Sequence, residues 1–113
     1  MSRAIYQDVA TGAAAIAHTV SIGDACKISK VCIHFGVAPT TSENLTITLD
    51  SASGAAYDTV LLTVDPSATS ATSIVWTPID LVLVQGDALV IEYTNTDTRT
   101  YGSCVYVDPV SPC

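Results

Sequence analysis

The sequence predicts an all-β domain: an antiparallel two-sheet β-sandwich, jelly-roll-like, with about eight strands. Apolar and polar residues alternate with period two over most of the 113 residues, as in half-buried strands. Gly, Pro, Asn and Asp interrupt the apolar runs at close intervals, as they do between short strands. Only 13% of the residues are charged, and Thr and Ser, which suit the wet face of a strand, supply most of the remaining polarity. Two packed sheets are expected, because each sheet must cover one apolar face.

The alternation divides each predicted strand into a core face and a wet face. Leu45, Ile47 and Leu49 share one face, whereas Thr46 and Thr48 share the other. The same pattern, bounded by turn residues, predicts strands near residues 14–22, 26–35, 44–50, 57–65, 72–77, 80–84, 88–95 and 100–107.

The pattern also predicts individual core residues. Val60, Leu62 and Val64 are expected to face the core from the fourth of these strands. Trp76, which shares its phase with Ile74, is expected to be the large residue at the centre of the core.

The segment 80–95 predicts a hairpin inside the core. Residues 81–84 form a continuously apolar strand, Gly86 and Asp87 turn the chain, and the return strand alternates. On that return strand Leu89, Ile91 and Tyr93 are expected to point inward.

The chain is predicted to form one domain with two extensions. Residues 1–11 are an N-terminal arm, residues 12–108 the sandwich, and residues 109–113 a C-terminal tail. Pro109 and Pro112 remove ladder donors and keep the tail extended. Both ends are expected to lie outside the sheets, free to reach a neighbour, and the start is interpreted as mature protein without a signal peptide.

The charge balance excludes two classes of partner. Eleven acids stand against four bases, for a net charge of -7, so a nucleic acid or an anionic membrane would be repelled. No apolar run approaches the roughly 20 residues that span a bilayer. The aspartates follow or precede Gly, Ser or Pro, which favours turn capping over metal binding or acid catalysis; they are Asp24, Asp50, Asp65, Asp87 and Asp108.

Four cysteines, Cys26, Cys32, Cys104 and Cys113, are the possible disulfide residues. They permit three complete pairings that the sequence leaves open, and a bridge to the tail is as plausible as thiols in a reducing cytoplasm. Cys32 and His34 share a strand face, but a metal there would need ligands from another strand or subunit. We therefore expect no metal.

No catalytic residue or cofactor is predicted. His18 shares its phase with Ile16 and Val20, so its ring is expected to face the core or its rim and to bond a backbone carbonyl. Catalysis would require a nucleophile and an orienting acid nearby in space. The sequence contains neither a nucleophile elbow nor a phosphate-cradling glycine loop, so we expect a protein that is not an enzyme.

Two segments are candidates for an interaction surface: the N-terminal arm and the polar loop 95–99. The loop mixes donors and acceptors that suit a protein or a sugar. The residues expected to make contacts are Arg3, Ile5, Tyr6, Asn95, Arg99 and Tyr101.

The stretch NLTITLDSASGAAYDTVLLTVD, followed by IVWTPIDLVLVQGDALVIEYTNTDTRTYG, resembles small β-sandwich virion structural proteins of tailed bacteriophages. The shared features are a D-S-x-x-G-x-x-Y-D-T turn and a G-D-x-[LIV] hairpin ending in Y-x-N, within about residues 28–107. The resemblance implies a head decoration or cement protein, made in the host cytoplasm and located on the capsid surface. Its implied partners are the major capsid protein and further copies of itself, as a trimer rather than a dimer. The cysteines and the S-P-C tail are not part of the pattern.

The alternative is a carbohydrate- or receptor-binding sandwich. Its ligand would stack on exposed aromatic rings such as Tyr6, Tyr57, Tyr101 or Tyr106, and Tyr101 follows Asp97 and Arg99 closely enough to suit a sugar.

Overall fold

The computed structural model of the chain describes residues 6–70 and 72–109. These residues form nine strands and one 3₁₀ turn, Ala55–Tyr57. The strands are β1 Tyr6–Gly12, β2 Ile16–Ser21, β3 Cys26–Phe35, β4 Leu45–Asp50, β5 Thr59–Val64, β6 Ser73–Trp76, β7 Val82–Leu83, β8 Ala88–Tyr93 and β9 Tyr101–Pro109.

The strands form two antiparallel sheets packed face to face, which confirms the predicted β-sandwich. The order is β1-β9-β3-β6 in the five-strand sheet, where β7 also pairs with β3, and β2-β8-β4-β5 in the four-strand sheet. This is the strand order of a jelly roll if β6 and β7 count as one strand. They do so in space, because β6 pairs with residues 31–34 of β3 and β7 with residues 26–27.

Each of the eight predicted strands overlaps one observed strand, and β3 agrees at both ends. Burial follows the predicted period of two. Along β2 the side chains alternate strictly between buried and exposed, beginning with buried Ile16.

The prediction that residues 1–11 lie outside the sheets is wrong for residues 6–11. They belong to β1, which pairs with β9 from Tyr6 opposite Val107 to Gly12 opposite Tyr101. The sequence did not predict this strand because its apolar residue faces outward and its charged residue faces inward. Val9 is 61% exposed, whereas Asp8 forms a hydrogen bond with the buried ring of His18. At the other end β9 continues through Asp108 to Pro109, so Asp108 is a strand residue rather than a turn residue. Residues 1–5 and 110–113 lie outside the described residues.

A β-bulge reverses part of β5. Ile47 pairs with Leu62, but the next residue of β4, Thr48, pairs with Val60, so Leu61 is the extra residue. Because a one-residue insertion moves every preceding side chain to the other face, Val60 is 57% exposed. The prediction that Val60 faces the core is therefore wrong, while Leu62 and Val64 pack against it.

The predicted hairpin at 80–95 is a crossover between the two sheets. β7 pairs with β3 in the five-strand sheet, whereas β8 lies between β2 and β4 in the four-strand sheet. The turn at Gly86 is present, and the predicted inward positions are confirmed for Leu89, Ile91 and Tyr93, all at most 3% exposed. The error concerns the partner strand and not the local structure.

The core lies between the sheets, and its largest fully buried side chain is Phe35 rather than the expected Trp76. Phe35 is fully buried, and its ring packs edge-on against Tyr93 with centroids 5.6 Å apart. Trp76 lies on the edge strand β6 and is only partly buried. Other fully buried side chains come from both sheets: Ile16, Ile28, Ile33, Leu45, Ile47, Leu83, Leu89 and Ile91.

Candidate interaction surface

The predicted polar loop 95–99 joins β8 to β9 and is bound to the loop between β3 and β4. The carboxylate of Asp97 accepts the backbone N–H groups of Thr40 and Thr41, both at 2.8 Å, and the Thr41 hydroxyl at 2.7 Å. These three bonds, above all the Thr41 hydroxyl, lower the pKa of Asp97 from 3.8 to about 2. Asp97 therefore fixes one loop to another, and both of its oxygens are occupied.

At the same end of the sandwich, the carboxylates of Glu43 and Asp65 also accept hydrogen bonds from neighbouring loops. Glu43 accepts the Thr96 backbone N–H at 2.8 Å and the Thr96 hydroxyl at 2.7 Å. Asp65 accepts the Ser42 hydroxyl at 2.7 Å and caps its own turn by accepting the Ser67 N–H at 3.0 Å, and these bonds lower its pKa. The predicted turn-capping role is confirmed for Asp65.

The sequence-predicted contact residues of this loop do not gather into one exposed patch. Asn95 is 2% exposed; its amide donates to the carbonyls of Ala14 and Arg99, and its oxygen accepts the Arg99 N–H. Its φ of 56° lies in the left-handed region, which Asn tolerates better than most residues. Tyr101 is 9% exposed and Arg99 only partly exposed. The expected contact residues of the N-terminal arm, Arg3, Ile5 and the side chain of Tyr6, lie outside the part of the chain that the structure describes.

A buried polar chain connects three strands across the two sheets. Nε2 of His18 lies 2.7 Å from Oδ1 of Asp8, and Nδ1 lies 2.8 Å from Oγ of Ser103, so both ring nitrogens have a hydrogen-bond partner. His18 faces the core as predicted, but its partners are side chains and not a backbone carbonyl. The sequence did not indicate Asp8 as a partner because Asp8 belongs to β1, which was not predicted as a strand.

The chain Ser103–His18–Asp8 has the residue types of a hydrolytic triad. A nucleophile must be reached by its substrate, however, and Ser103 is 1% exposed while His18 is 5% exposed, both between the packed sheets. In this conformation the three groups satisfy one another inside the protein. We interpret them as a structural network.

The three described cysteines occupy two different environments. Cys26 is 5% exposed, and burial raises the pKa of its thiol. Cys32 and Cys104 are partly exposed and lie directly opposite each other on β3 and β9; Cys113 lies outside the description. Within residues 6–70 and 72–109, no three His, Cys, Asp or Glu side chains are close enough to hold a metal ion.

The turn that carries the chain between sheets stands at the opposite end of the sandwich. Asp87 accepts the N–H groups of Ala52 at 2.8 Å and Val84 at 3.0 Å, and these bonds lower its pKa. This confirms the predicted turn role of Asp87. Nearby is an open, mainly apolar cavity of about 310 Å³, lined among others by Val20, Cys26 and Val107.

The outward side of the four-strand sheet contains few charged residues, and we call it the threonine face. Registers align its residues in rows across all four strands, such as Thr19, Val90, Thr48 and Val60. Two of its members, Glu92 and Asp50, are charged. The complete set is Ala17, Thr19, Ser21, Thr46, Thr48, Asp50, Val60, Thr63, Ala88, Val90 and Glu92.

The comparisons with known proteins return no family. No protein-family model matches the chain, and no curated protein matches it significantly.

Among the described residues, no helix is long and apolar enough to cross a membrane.

The alternation of Thr46 and Thr48 with apolar residues predicts the threonine face only in part. Thr46 and Thr48 were recognised as a wet face, but the neighbours of those residues on β2 and β8 depend on strand order, which alternation does not determine. Contact residues were instead expected in loops, where polar side chains are more conspicuous.

Proposed function

We propose that this protein is a decoration or cement protein of a tailed-bacteriophage head, which binds major capsid subunits through the threonine face and stabilises the shell. The observation that carries the proposal is the low density of charged side chains on this face, which extends over all four strands. The resemblance of the 28–107 segment to small virion β-sandwich proteins gives the partner. The proposed location is the capsid surface.

A face of this composition suits a contact with another protein. Burying a charged group without a partner is unfavourable. Only two of the eleven residues of the threonine face are charged, Glu92 and Asp50, and Asp50 lies at the end of its strand, so covering this face desolvates few charges. Thr and Val side chains have few rotamers, so little conformational entropy is lost when they are covered. Both factors favour association over a broad, shallow area.

The other side chains support a binding role rather than a chemical one. The imidazole, hydroxyl and carboxylate of the His18 network are consumed by bonds to one another. The acids of the 95–99 end are likewise occupied by neighbouring loops. These bonds connect the two sheets and the loops at one end of the sandwich, which suits a protein that reinforces a shell.

Self-association, as a trimer rather than a dimer, is part of the proposal. A weak face-to-face contact repeated in each copy of an oligomer gains avidity without any new chemistry. Light scattering of the purified protein tests the oligomer independently of the capsid.

Two valines provide a matched test of the binding face. Val60 on the threonine face is 57% exposed and Val75 on the outer side of the five-strand sheet is 60% exposed, each on an edge strand. We expect Val60→Lys to weaken co-sedimentation with capsids of the cognate major capsid protein by at least about tenfold, and Val75→Lys to leave it unchanged. Circular dichroism checks that both variants keep the β fold.

Equal binding by both variants, or equal loss in both, would contradict the assignment of the face. Retention of the wild type on a glycan array, without capsid binding, would favour the carbohydrate-binding alternative. That alternative keeps one conspicuous aromatic ring among the described residues, Tyr57, which is 64% exposed.

A further inference from the structure

Cys32 and Cys104 are cross-strand neighbours in the middle of the five-strand sheet. Cys32 pairs in register with Cys104, between Val31 opposite Val105 and Ile33 opposite Ser103. Since Val31, Ile33, Ser103 and Val105 are all buried, the two cysteines share the outer side of the sheet. Val9 and Val75 complete the same row on the strands to either side.

The register determines how far apart the two residues lie. The Gly36 N–H donates to the Thr100 carbonyl, which makes 36 and 100 a hydrogen-bonded pair. Such pairs recur at every second position, and the one register shift of this ladder lies earlier, between Ile28 and Lys30. The Cys32 and Cys104 pair is therefore also hydrogen-bonded, with Cα atoms about 5.5 Å apart, inside the range that a disulfide spans.

We propose that Cys32 and Cys104 form a reversible cross-strand disulfide when the protein meets an oxidising environment. Both residues are partly exposed to solvent, so a small oxidant reaches them. The inference is independent of the proposed capsid role. Of the pairings that four cysteines permit, it selects the one between these two strands.

The oxidant is a low-molecular-weight disulfide such as glutathione disulfide. One cysteine thiolate attacks a sulfur of the oxidant, forms a mixed disulfide and releases one glutathione thiolate. The second cysteine thiolate attacks the protein sulfur of the mixed disulfide and releases the other. The two protons leave with the two glutathione thiolates, and the two electrons reduce the oxidant's sulfur–sulfur bond.

The bond would join the two central strands of its sheet. Because residues 32 and 104 enclose most of the chain, the cross-link restricts the unfolded state strongly, and the melting temperature is expected to rise by about 5 °C or more. A hydrogen-bonded strand pair holds its Cβ atoms slightly farther apart than a relaxed disulfide does, so the bond should open again with a modest excess of dithiothreitol. Stability would thus increase on leaving a reducing cytoplasm.

Peptide mapping of the wild-type protein tests the pairing directly. The protein is incubated with glutathione disulfide, blocked with N-ethylmaleimide and digested with trypsin, which places Cys26, Cys32 and Cys104 on separate peptides because it cuts after Lys27, Lys30 and Arg99. Chymotrypsin then separates Cys104 from Cys113 by cutting after Tyr106. We expect peptide 31–99 joined to the peptide that begins at Thr100 after trypsin alone, and the fragment that carries Cys32 joined to the fragment that carries Cys104 after chymotrypsin. The protein should remain a monomer on non-reducing gels.

Serine variants provide the controls. Cys32→Ser is expected to abolish both the cross-link and the rise in melting temperature, while Cys26→Ser, at a buried thiol outside the pair, keeps both. Melting under reducing conditions checks that each variant is folded. Blocked thiols at 32 and 104 in the oxidised wild type, a bond from Cys104 to Cys113, or a disulfide-linked dimer would each overturn the proposal.

Discussion

The carboxylate of Asp8 and the imidazole of His18 meet at 2.7 Å although they belong to different sheets. Asp8 lies on β1 of the five-strand sheet and His18 on β2 of the four-strand sheet. Ser103 on β9 completes the contact from the other ring nitrogen. A single side chain thus connects the first two strands of the described chain with its last.

Removing the His18 ring should destabilise the protein strongly. His18→Ala leaves a cavity and takes a partner from the buried Ser103 hydroxyl, and we expect a loss of about 2–4 kcal/mol in the free energy of unfolding. Thr19→Ala, at the exposed neighbouring position, should change it by less than about 0.5 kcal/mol. Urea denaturation measures both. Equal effects of the two substitutions would show that the network contributes nothing particular to stability.

Asp97 should make stability depend on pH in the acid range. Its pKa is about 2 in the folded protein against an ordinary value of 3.8, so the unfolded chain takes up the proton first as the pH falls. The stabilisation is complete above about pH 4 and is lost progressively as the pH falls towards about 2. We expect the difference in melting temperature between wild type and Asp97→Asn to shrink over this interval. Asp24→Asn, at an exposed aspartate of the opposite end, is the control, and a pH-independent difference for Asp97→Asn would refute the assignment.

Gly86 should tolerate no side chain. Its φ is 93°, and an added Cβ would lie 2.9 Å from Cβ of Ala52, so Gly86→Ala combines backbone strain with a steric clash. We expect a destabilisation of about 1–3 kcal/mol by thermal or urea unfolding. Gly23→Ala is the matched control, because nothing lies within 4 Å of its added Cβ, and it should be neutral or slightly stabilising. The clash interpretation fails if Ala52→Gly does not recover part of the loss in the double variant.

Local structure was largely predictable because alternation reports directly on a sheet with one covered face. β3 shows this best: Cys26–Phe35 was predicted at both ends, and its buried residues follow the apolar phase. Where the covered residue is polar, the same signal fails. β1 places Asp8 inward and Val9 outward, so its pattern contains no apolar face to recognise.

Connections between strands were less predictable than the strands themselves. A turn of Gly86 and Asp87 serves a hairpin and a crossover between sheets equally well, since both require the same backbone reversal. The bulge at Leu61 could not be predicted either. It lies in a run of apolar residues, where no alternation of polar and apolar side chains shows that an extra residue is present.

The His18 network and the cysteine pair were beyond sequence reasoning for a different reason. Ser103 lies 85 residues from His18, and Cys104 follows Cys32 at a similar separation. No spacing rule connects such residues. Their meeting depends on the position of β9 between β1 and β3, which is a property of the whole topology.

The division of one edge strand into β6 and β7 makes this edge of the sheet a poor site for pairing with another molecule. The exposed ladder groups of that side come in runs of four and two residues, separated by a stretch that contains Pro78. Runs this short offer a poor template for a strand from another molecule. Many copies can therefore stand side by side at high local concentration without polymerising into fibres from this edge.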